Sequence, residues 1–154
     1  MALRNILVND VSFLHKKSRD VTNFDSRLSE LLDDMVQTLH SRKDAVGLAA
    51  PQVGVLRRVA VVDVGDGVIE LINPVIVSSV GEQVSKEGCL SFPNIYKTVK
   101  RPSFVKISSL NRVAEEVFFE GSGLLARAFC HEIDHLSGIV FLDRAEVEDS
   151  EDYA

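Results

Sequence analysis

The pentad His131-Glu132-Ile133-Asp134-His135 reads H-E-x-x-H, and it constrains this chain more than any other feature. It lies in a stretch whose pattern predicts a helix, where positions i and i+4 face the same side about one turn apart. Two imidazoles placed in this way can bind one metal ion, and Glu132 can reach a water bound to that ion. The arrangement is typical of metal-dependent hydrolases, although so short a motif also arises by chance.

Length and composition predict a single domain over residues 1–154. The net charge of −6 and the lack of a dominant basic patch argue against nucleic acid as a direct ligand. The N-terminus does not resemble a signal peptide, and no apolar run approaches the roughly 20 residues of a membrane helix. We therefore expect a soluble, cytoplasmic monomer whose two cysteines, Cys89 and Cys130, form no disulfide.

Hydrophobic periodicity predicts the main elements. Leucines at helical spacing indicate an amphipathic scaffold helix from Asn23 to about Arg42, capped by Asn23 or Asp25 and packed on a sheet. Alternation predicts strands over residues 59–64 and 70–77 and a hairpin over residues 104–110 and 113–119. The pair Asn73-Pro74 places the second strand at a sheet edge or at a bulge.

Other segments are predicted less regularly. Residues 47–54 are expected to form a loop, residues 139–142 a short strand, and residues 144–154 a flexible acidic tail. The H-E-x-x-H helix is expected to start at an N-cap, Ser122, and to end near Gly138 as its C′ residue. Four residues share its inward face: Leu124, Ala128, His131 and His135.

A catalytic metal site usually has three protein ligands and one open position. Cys89, in Glu87-Gly88-Cys89-Leu90-Ser91, is the candidate third ligand, although a lone cysteine is often only a core residue. Cys130 competes poorly because it points about 100° away from the ligand face of the helix. Glu87 is expected to be partly buried and to need a partner, for which Arg101 is the candidate.

Three segments, in this order, resemble the three motifs of peptide deformylases: Gly47-Leu48-Ala49-Ala50-Pro51-Gln52, Glu87-Gly88-Cys89-Leu90-Ser91 and His131-Glu132-Ile133-Asp134-His135-Leu136. The resemblance implies an enzyme that removes the formyl group from N-formylmethionyl peptides of newly made proteins. It also implies an α+β fold in which small antiparallel sheets wrap around the central helix. The expected cofactor is one divalent metal ion. In the family this ion is usually Fe(II), although Zn(II) or Ni(II) can occupy the same site.

The resemblance also assigns roles. Cys89, His131 and His135 are the implied metal ligands, and metal-bound water attacks the formyl carbon with Glu132 as general base and then acid. The Gln52 amide and the Leu90 backbone N–H match the family's donors to the oxyanion. The substrate-binding candidates, which are equally good core residues, are Val46, Gly47, Leu124 and Ala128.

The chain departs from the family pattern at three places. Ala45 stands where a glycine is usual and would be strained if its φ had to be positive. Cys130 stands where glutamine is common. The acidic C-terminus gives no support for the ribosome contact made by the longer, basic C-terminal helix of some relatives.

Two other interpretations stay open at this point. An H-E-x-x-H peptidase would take its third ligand downstream, from Asp143, Glu146 or Glu148. A non-catalytic metal-stabilised domain would need a fourth protein ligand and would leave Glu132 without a role.

Overall fold

The structure, a computed structural model, describes residues 2–146. Two antiparallel sheets and three α-helices form the α+β fold that was predicted. The helices are α1 (Val11–Leu14), α2 (Ser26–His40) and α3 (Gly123–Leu136), with 3₁₀ turns at Ala50–Val53 and Phe141–Arg144. No helix within residues 2–146 is long and apolar enough to cross a membrane.

The strands form two sheets. They are β1 (Gly47–Ala49), β2 (Val59–Val62), β3 (Ile69–Val80), β4 (Gln83–Cys89), β5 (Phe92–Arg101), β6 (Phe104–Leu110) and β7 (Glu116–Ser122). The five-stranded sheet has the order β1-β2-β3-β6-β7, and β4 and β5 form a separate two-stranded sheet.

The large sheet is covered on both faces near β1 and β2. Val59 and Val61 pack with the leucines of α2, whereas Ala60 and Val62 pack with α3, because successive side chains of a strand point to opposite faces. The scaffold helix is confirmed, and Asp25 caps it by accepting a hydrogen bond from the Leu28 N–H. Helix α3 therefore lies in the interior, between the large sheet and the β4–β5 hairpin.

The Asn73-Pro74 pair lies at a bulge and not at an edge. Strand β3 has β2 and β6 on its two sides, and its register with β6 shifts between Ile72 and Val75. Asn73 has a φ of 49°, and its side chain exchanges two hydrogen bonds with the backbone of Val21. The side chain thus supplies partners that the interrupted ladder lacks.

Several of the predicted elements and boundaries are wrong, and among them β2 ends at Val62 and not at residue 64, while β3 continues to Val80 and not only to residue 77. Residues 47–49 are a strand paired with β2, because tertiary pairing overrides the weak propensity of these small residues. Strand β7 begins at residue 116, since the Asn111 side chain accepts hydrogen bonds from Val113 and Glu115 and holds them in a loop. Residues 141–144 form a 3₁₀ turn instead of a strand, and the Asp143 carboxylate closes it on the Val140 N–H.

The hairpin of β4 and β5 was not predicted, although it carries one of the three motifs. The acidic tail was predicted from residue 144, but Ala145 forms a bridge with Val99 and the Glu146 N–H donates to Thr98. The predicted boundary is therefore too early by at least three residues. The remainder of that segment, residues 147–154, lies outside the described residues.

Candidate active site

Helix α3 supplies two imidazoles and a carboxylate to one buried spot. His131 is 8% exposed, Glu132 3% and His135 0%. The helix begins after Ser122, which caps it without a side-chain hydrogen bond, and Gly138 beyond its end has a φ of 76°. Polar side chains so deeply buried need partners, and β4 supplies Glu87 to His131 and Cys89 to His135, whereas Glu132 Oε1 and His135 Nδ1 have no partner among the described residues.

Cys89 reaches the two histidines from the end of β4. The register between β4 and β5 shifts between Glu87 and Cys89, and such an irregularity changes the direction of the side chain that follows it. Ligand atoms of Cys89, His131 and His135 all lie within 4.8 Å of one another. The structure thus brings together the three residues that the sequence named as ligands.

The spacing of these atoms suits a tetrahedral metal ion. Bonds of about 2.3 Å to sulfur and about 2.0 Å to nitrogen place the two ligand atoms about 3.5 Å apart. The Cys89 Sγ lies 3.5 Å from His135 Nε2. Because His131 Nδ1 bonds Glu87, its Nε2 is the nitrogen left for a metal. One thiolate and two imidazoles are a donor set that Zn(II) and Fe(II) both accept.

Glu87 is the centre of a buried charge network. Its carboxylate accepts hydrogen bonds from Arg101 Nε and Nη2 at 2.8 and 2.9 Å, from Arg127 Nη2 at 2.8 Å and from His131 Nδ1 at 2.9 Å. Burial would raise the pKa of Glu87, but the hydrogen bonds from Arg101 and His131 lower it from 4.5 to about 2. Glu87 is therefore an anion that fixes the tautomer and orientation of His131.

Asp134 extends this network on the outer side of α3. Arg101 Nη1 donates to Asp134 at 2.6 Å, and Arg144 donates to the same carboxylate. The Glu87–Arg101 pair was anticipated from the sequence, whereas Arg127 and Asp134 were not. The signal available for Arg127 was its position four residues before His131, one turn away on the same face.

Glu132 has the features of a proton-transfer group. Burial raises its pKa from 4.5 to about 7, even though the charge of His131 acts in the opposite direction. Its Oε1 is buried and has no hydrogen-bond partner in the described part of the chain. A β-carbon at Gly47 would lie 2.5 Å from Glu132 Oε2, so only glycine lets β1 approach this carboxylate so closely.

The two imidazoles differ in charge state. Burial, together with the nearby charge of His131, holds the pKa of His135 well below its usual value, so His135 is neutral. Burial also opposes a charge on His131, but Glu132 and the hydrogen bonds with Cys89 and Glu87 hold its pKa well above the usual value. His131 would have to give up that proton to hold a metal ion, so metal binding there would depend on pH.

Gln52 is held beside the metal ligands by both ends of its side-chain amide. Its Oε1 accepts a hydrogen bond from the Ala49 N–H at 2.9 Å, and its Nε2 lies 3.2 Å from Ser91 Oγ and 3.5 Å from Cys89 Sγ. The residue is 1% exposed on the 3₁₀ turn after β1. Ser91, which the sequence did not single out, thus fixes the direction in which the amide nitrogen points.

A cleft of about 690 Å³ opens from these groups to the surface. Glu132, His131, Cys89 and Gln52 line this cleft, as do the predicted site residues Val46, Gly47, Leu90, Leu124 and Ala128. Ala128 is buried, whereas Leu124 is 55% exposed. All but one of the site residues named from the sequence therefore line one cavity; the exception, His135, is fully buried and meets Cys89 and His131 without lining the cleft.

Residues 3–151 match the family model described as polypeptide deformylase. The chain belongs to that family. It is 55% identical over 144 residues to the peptide deformylase of Alkaliphilus metalliredigens, covering 94% of this chain and 97% of that protein. The crystal structure of peptide deformylase from Thermotoga maritima superposes with a TM-score of 0.89 at 40% identity, covering 94% of this chain and 98% of that one. The peptide deformylase of Synechococcus elongatus, solved in complex with actinonin, gives a TM-score of 0.89 at 35% identity over 96% of this chain and 82% of that one.

A deformylase hydrolyses the amide that joins a formyl group to the N-terminus of a newly made protein, so the chain is a hydrolase of that kind. The peptidase interpretation required a third metal ligand downstream of α3. Asp143 pairs with His15 and the Val140 N–H, and neither it nor Glu146 joins the metal-ligand group among residues 2–146. Glu148 lies outside the described residues.

The two departures within this deformylase chain have simple structural outcomes. Ala45 is not among the residues of the described part that adopt positive φ, so alanine is unstrained there. Cys130 is buried in the core beside Phe129 and Ile133 and is not part of the metal-ligand group. Burial raises the pKa of the Cys130 thiol to about 11.

Proposed function

We propose that Cys89, His131 and His135 hold one divalent ion and that Glu132 transfers the proton during deformylation. One observation carries this proposal: three ligand atoms converge within 4.8 Å beside a buried carboxylate oxygen that has no partner among the described residues. When bound, the ion supplies Lewis acidity, which makes water a nucleophile near neutral pH and polarises a carbonyl group.

Glu132 accepts the proton of the attacking water and returns it to the departing α-amine. A carboxyl pKa near the working pH favours both steps, and burial gives Glu132 a pKa of about 7 in the absence of metal. The absence of a β-carbon at Gly47 leaves the space that the Glu132 carboxylate occupies against β1. The carboxylate can thus lie at the inner end of the cleft.

Gln52 and Leu90 are the proposed donors to the oxyanion. The bond from the Ala49 N–H to Gln52 Oε1 points the amide NH₂ toward Cys89 and Ser91. Leu90 lies in the short turn between β4 and β5, next to Cys89 in the chain. A preorganised donor of this kind is typically worth about 3 kcal/mol of barrier.

The methionine side chain is proposed to lie on an apolar wall of the cleft formed by Val46, Leu124 and Ala128. Leu124 and Ala128 precede His131 on the same face of α3 by two turns and one turn. Gly47, at the start of β1, provides a backbone edge without a side chain along which an extended peptide can lie.

The native ion is proposed to be Fe(II), as the family resemblance suggests, since the Cys/His/His donor set alone also suits Zn(II). Iron bound by a thiolate is sensitive to oxygen. We expect iron-loaded protein to lose activity on aeration and zinc-loaded protein to keep its own. Activity of the iron form that survives prolonged aeration would count against Fe(II) as the working ion.

We infer that the protein acts as a monomer in the cytoplasm, where new polypeptides emerge carrying their formyl groups. The matched relatives come from bacteria, which supports this setting. A transient contact with the ribosome would have to use a surface other than a basic C-terminal helix.

Release of formate from a formyl-Met-Ala peptide tests the proposal. Wild type and Glu132→Gln are purified without oxygen, and their metal contents are compared. Formate from wild type alone, at equal metal content, supports the role of Glu132. If the Glu132→Gln variant turns over at the wild-type rate, Glu132 is not the proton carrier. Loss of metal from Cys89→Ala, with the fold retained, tests the ligand assignment separately.

A further inference from the structure

The outer end of the cleft is positively charged, although the protein as a whole carries a net charge of −6. Arg42 and Lys43 line the cleft from the segment before β1, and Lys86 lines it from β4 on the other side. Among the charged lining residues, Glu87 and Arg127 are buried and paired with each other. Asp44 is the one exposed acid that lines the outer cleft within the described part of the chain.

Arg42 and Lys43 are available to a ligand. Both are exposed, and neither forms an ion pair with any residue in the range 2–146. If Asp44 offsets one cation, an excess of positive charge still remains at this end of the cleft. Such an excess attracts acidic groups and repels basic ones over about one Debye length, which is about 8 Å at physiological ionic strength.

The position of these cations relative to Glu132 indicates which part of a substrate meets them. Gly47 lies against the Glu132 carboxylate, and Lys43 precedes Gly47 by four residues. Four residues span at most about 14 Å of extended chain. Strand β1 is an edge strand, so an extended polypeptide can pair with its free edge. We take this polypeptide to run antiparallel to β1; with its formylated methionine beside Glu132, it then passes Lys43 and Arg42 within the next three or four residues.

We propose that Arg42 and Lys43 make this enzyme select formylated polypeptides with acidic side chains at the second to fourth residue after methionine. The proposal rests on the deformylase function and concerns the choice among its substrates. The two cations lie away from the reacting atoms, so their effect falls on KM and leaves kcat nearly unchanged.

Three amidated peptides test this selection: formyl-Met-Ala-Glu-Ser, formyl-Met-Ala-Ser-Ser and formyl-Met-Ala-Lys-Ser. Amidation removes the terminal carboxylate, which would otherwise attract the same cations. At low salt we expect kcat/KM to be about tenfold higher for the Glu peptide than for the Lys peptide, a ratio typical of two exposed ion pairs. In 1 M salt, where the Debye length is about 3 Å, the ratio should fall below about two.

Charge reversal by Arg42→Glu with Lys43→Glu should bring the Glu-to-Lys ratio below one. The matched control is Lys16→Glu with Lys17→Glu, which changes net charge equally at two exposed positions outside the cleft and should keep the wild-type ratio. The salt titration of wild type gives the same answer if the cleft variant does not fold.

The outcomes separate the two proposals. Formate from none of the three peptides would defeat the deformylase function itself. Turnover of all three peptides at equal kcat/KM would overturn only the selection by charge. Equal rates together with inhibition of wild type, but not of the cleft variant, by a short RNA would instead assign these cations to a nucleic-acid contact.

Discussion

Replacement of Glu87 by glutamine tests whether the buried network supports the metal ligands. The substitution keeps the shape of the side chain and removes the charge that Arg101, Arg127 and His131 all contact. Arg101 retains Asp134, but Arg127 loses its carboxylate partner. The Nδ1–H of His131 loses a charged acceptor, so the ring is held less firmly with Nε2 toward Cys89.

The magnitude follows from the pKa of Glu87. Folding lowers that pKa from 4.5 to about 2, and this corresponds to about 3 kcal/mol of stability near neutral pH. Because the pKa of Glu87 is lower in the folded state than in the unfolded state, its ionised form stabilises the fold. This stabilisation is present above pH 4.5 and is lost as the pH falls toward 2. By about pH 3 more than half of it should be gone. The metal affinity should also fall by about 10- to 100-fold, as when other partners of metal-binding histidines are removed.

Urea unfolding of metal-free protein measures the first effect, and competition with a chelator measures the second. The control is Glu82→Gln, because the Glu82 side chain is 70% exposed and lies 4.0 Å from Lys100. That change should cost less than about 0.5 kcal/mol. If Glu87→Gln unfolds at the same urea concentration as the control, or if its deficit is unchanged between pH 6 and pH 3, the network does not act as an ion pair.

Three further changes test the neighbourhood of the site. Gly47→Ala should lower kcat about 100-fold at unchanged metal content, because the new β-carbon displaces Glu132; wild-type kcat would refute the packing argument. Ala45→Gly should lower the free energy of unfolding by about 0.4–1 kcal/mol, since alanine is unstrained there; a gain in stability would contradict this. Cys130 should resist iodoacetamide at pH 8 until the protein unfolds, since burial raises its thiol pKa to about 11; mass spectrometry of the alkylated native protein decides.

The sequence predicted best where a local pattern determines a local structure. The leucine spacing placed α2 to within a few residues, and H-E-x-x-H together with Ser122 and Gly138 placed α3. The bulge at Asn73-Pro74 also follows from local chemistry, because proline lacks the N–H that a regular ladder needs. Helix and turn signals of this kind depend on residues close together in the chain.

The β4–β5 hairpin shows what such patterns miss. Buried and exposed side chains do not alternate along β4, where Glu87 is buried between exposed neighbours. The reason is that β4 packs against α3 through a charge network and not through an apolar face. Arg127 lies 40 residues from its partner Glu87, and Asp134 lies 33 residues from its partner Arg101, so no local spacing marks these pairs. The partners of a buried charge are set by tertiary structure.

The same network explains how ligands from two distant segments reach one ion. Cys89 is carried by β4 and the histidines by α3, so the metal site depends on how these elements are placed against each other. Glu87 lies two residues before Cys89 and bonds His131 directly, while Arg101 on β5 joins Glu87 to Asp134 on α3. These contacts join Glu87, which is close to Cys89 in the chain, to His131 itself and, through Arg101, to Asp134, which directly precedes His135. Because these bonds use none of the three atoms available to a metal, which are Cys89 Sγ, His131 Nε2 and His135 Nε2, the network orients the ligands without competing for their lone pairs.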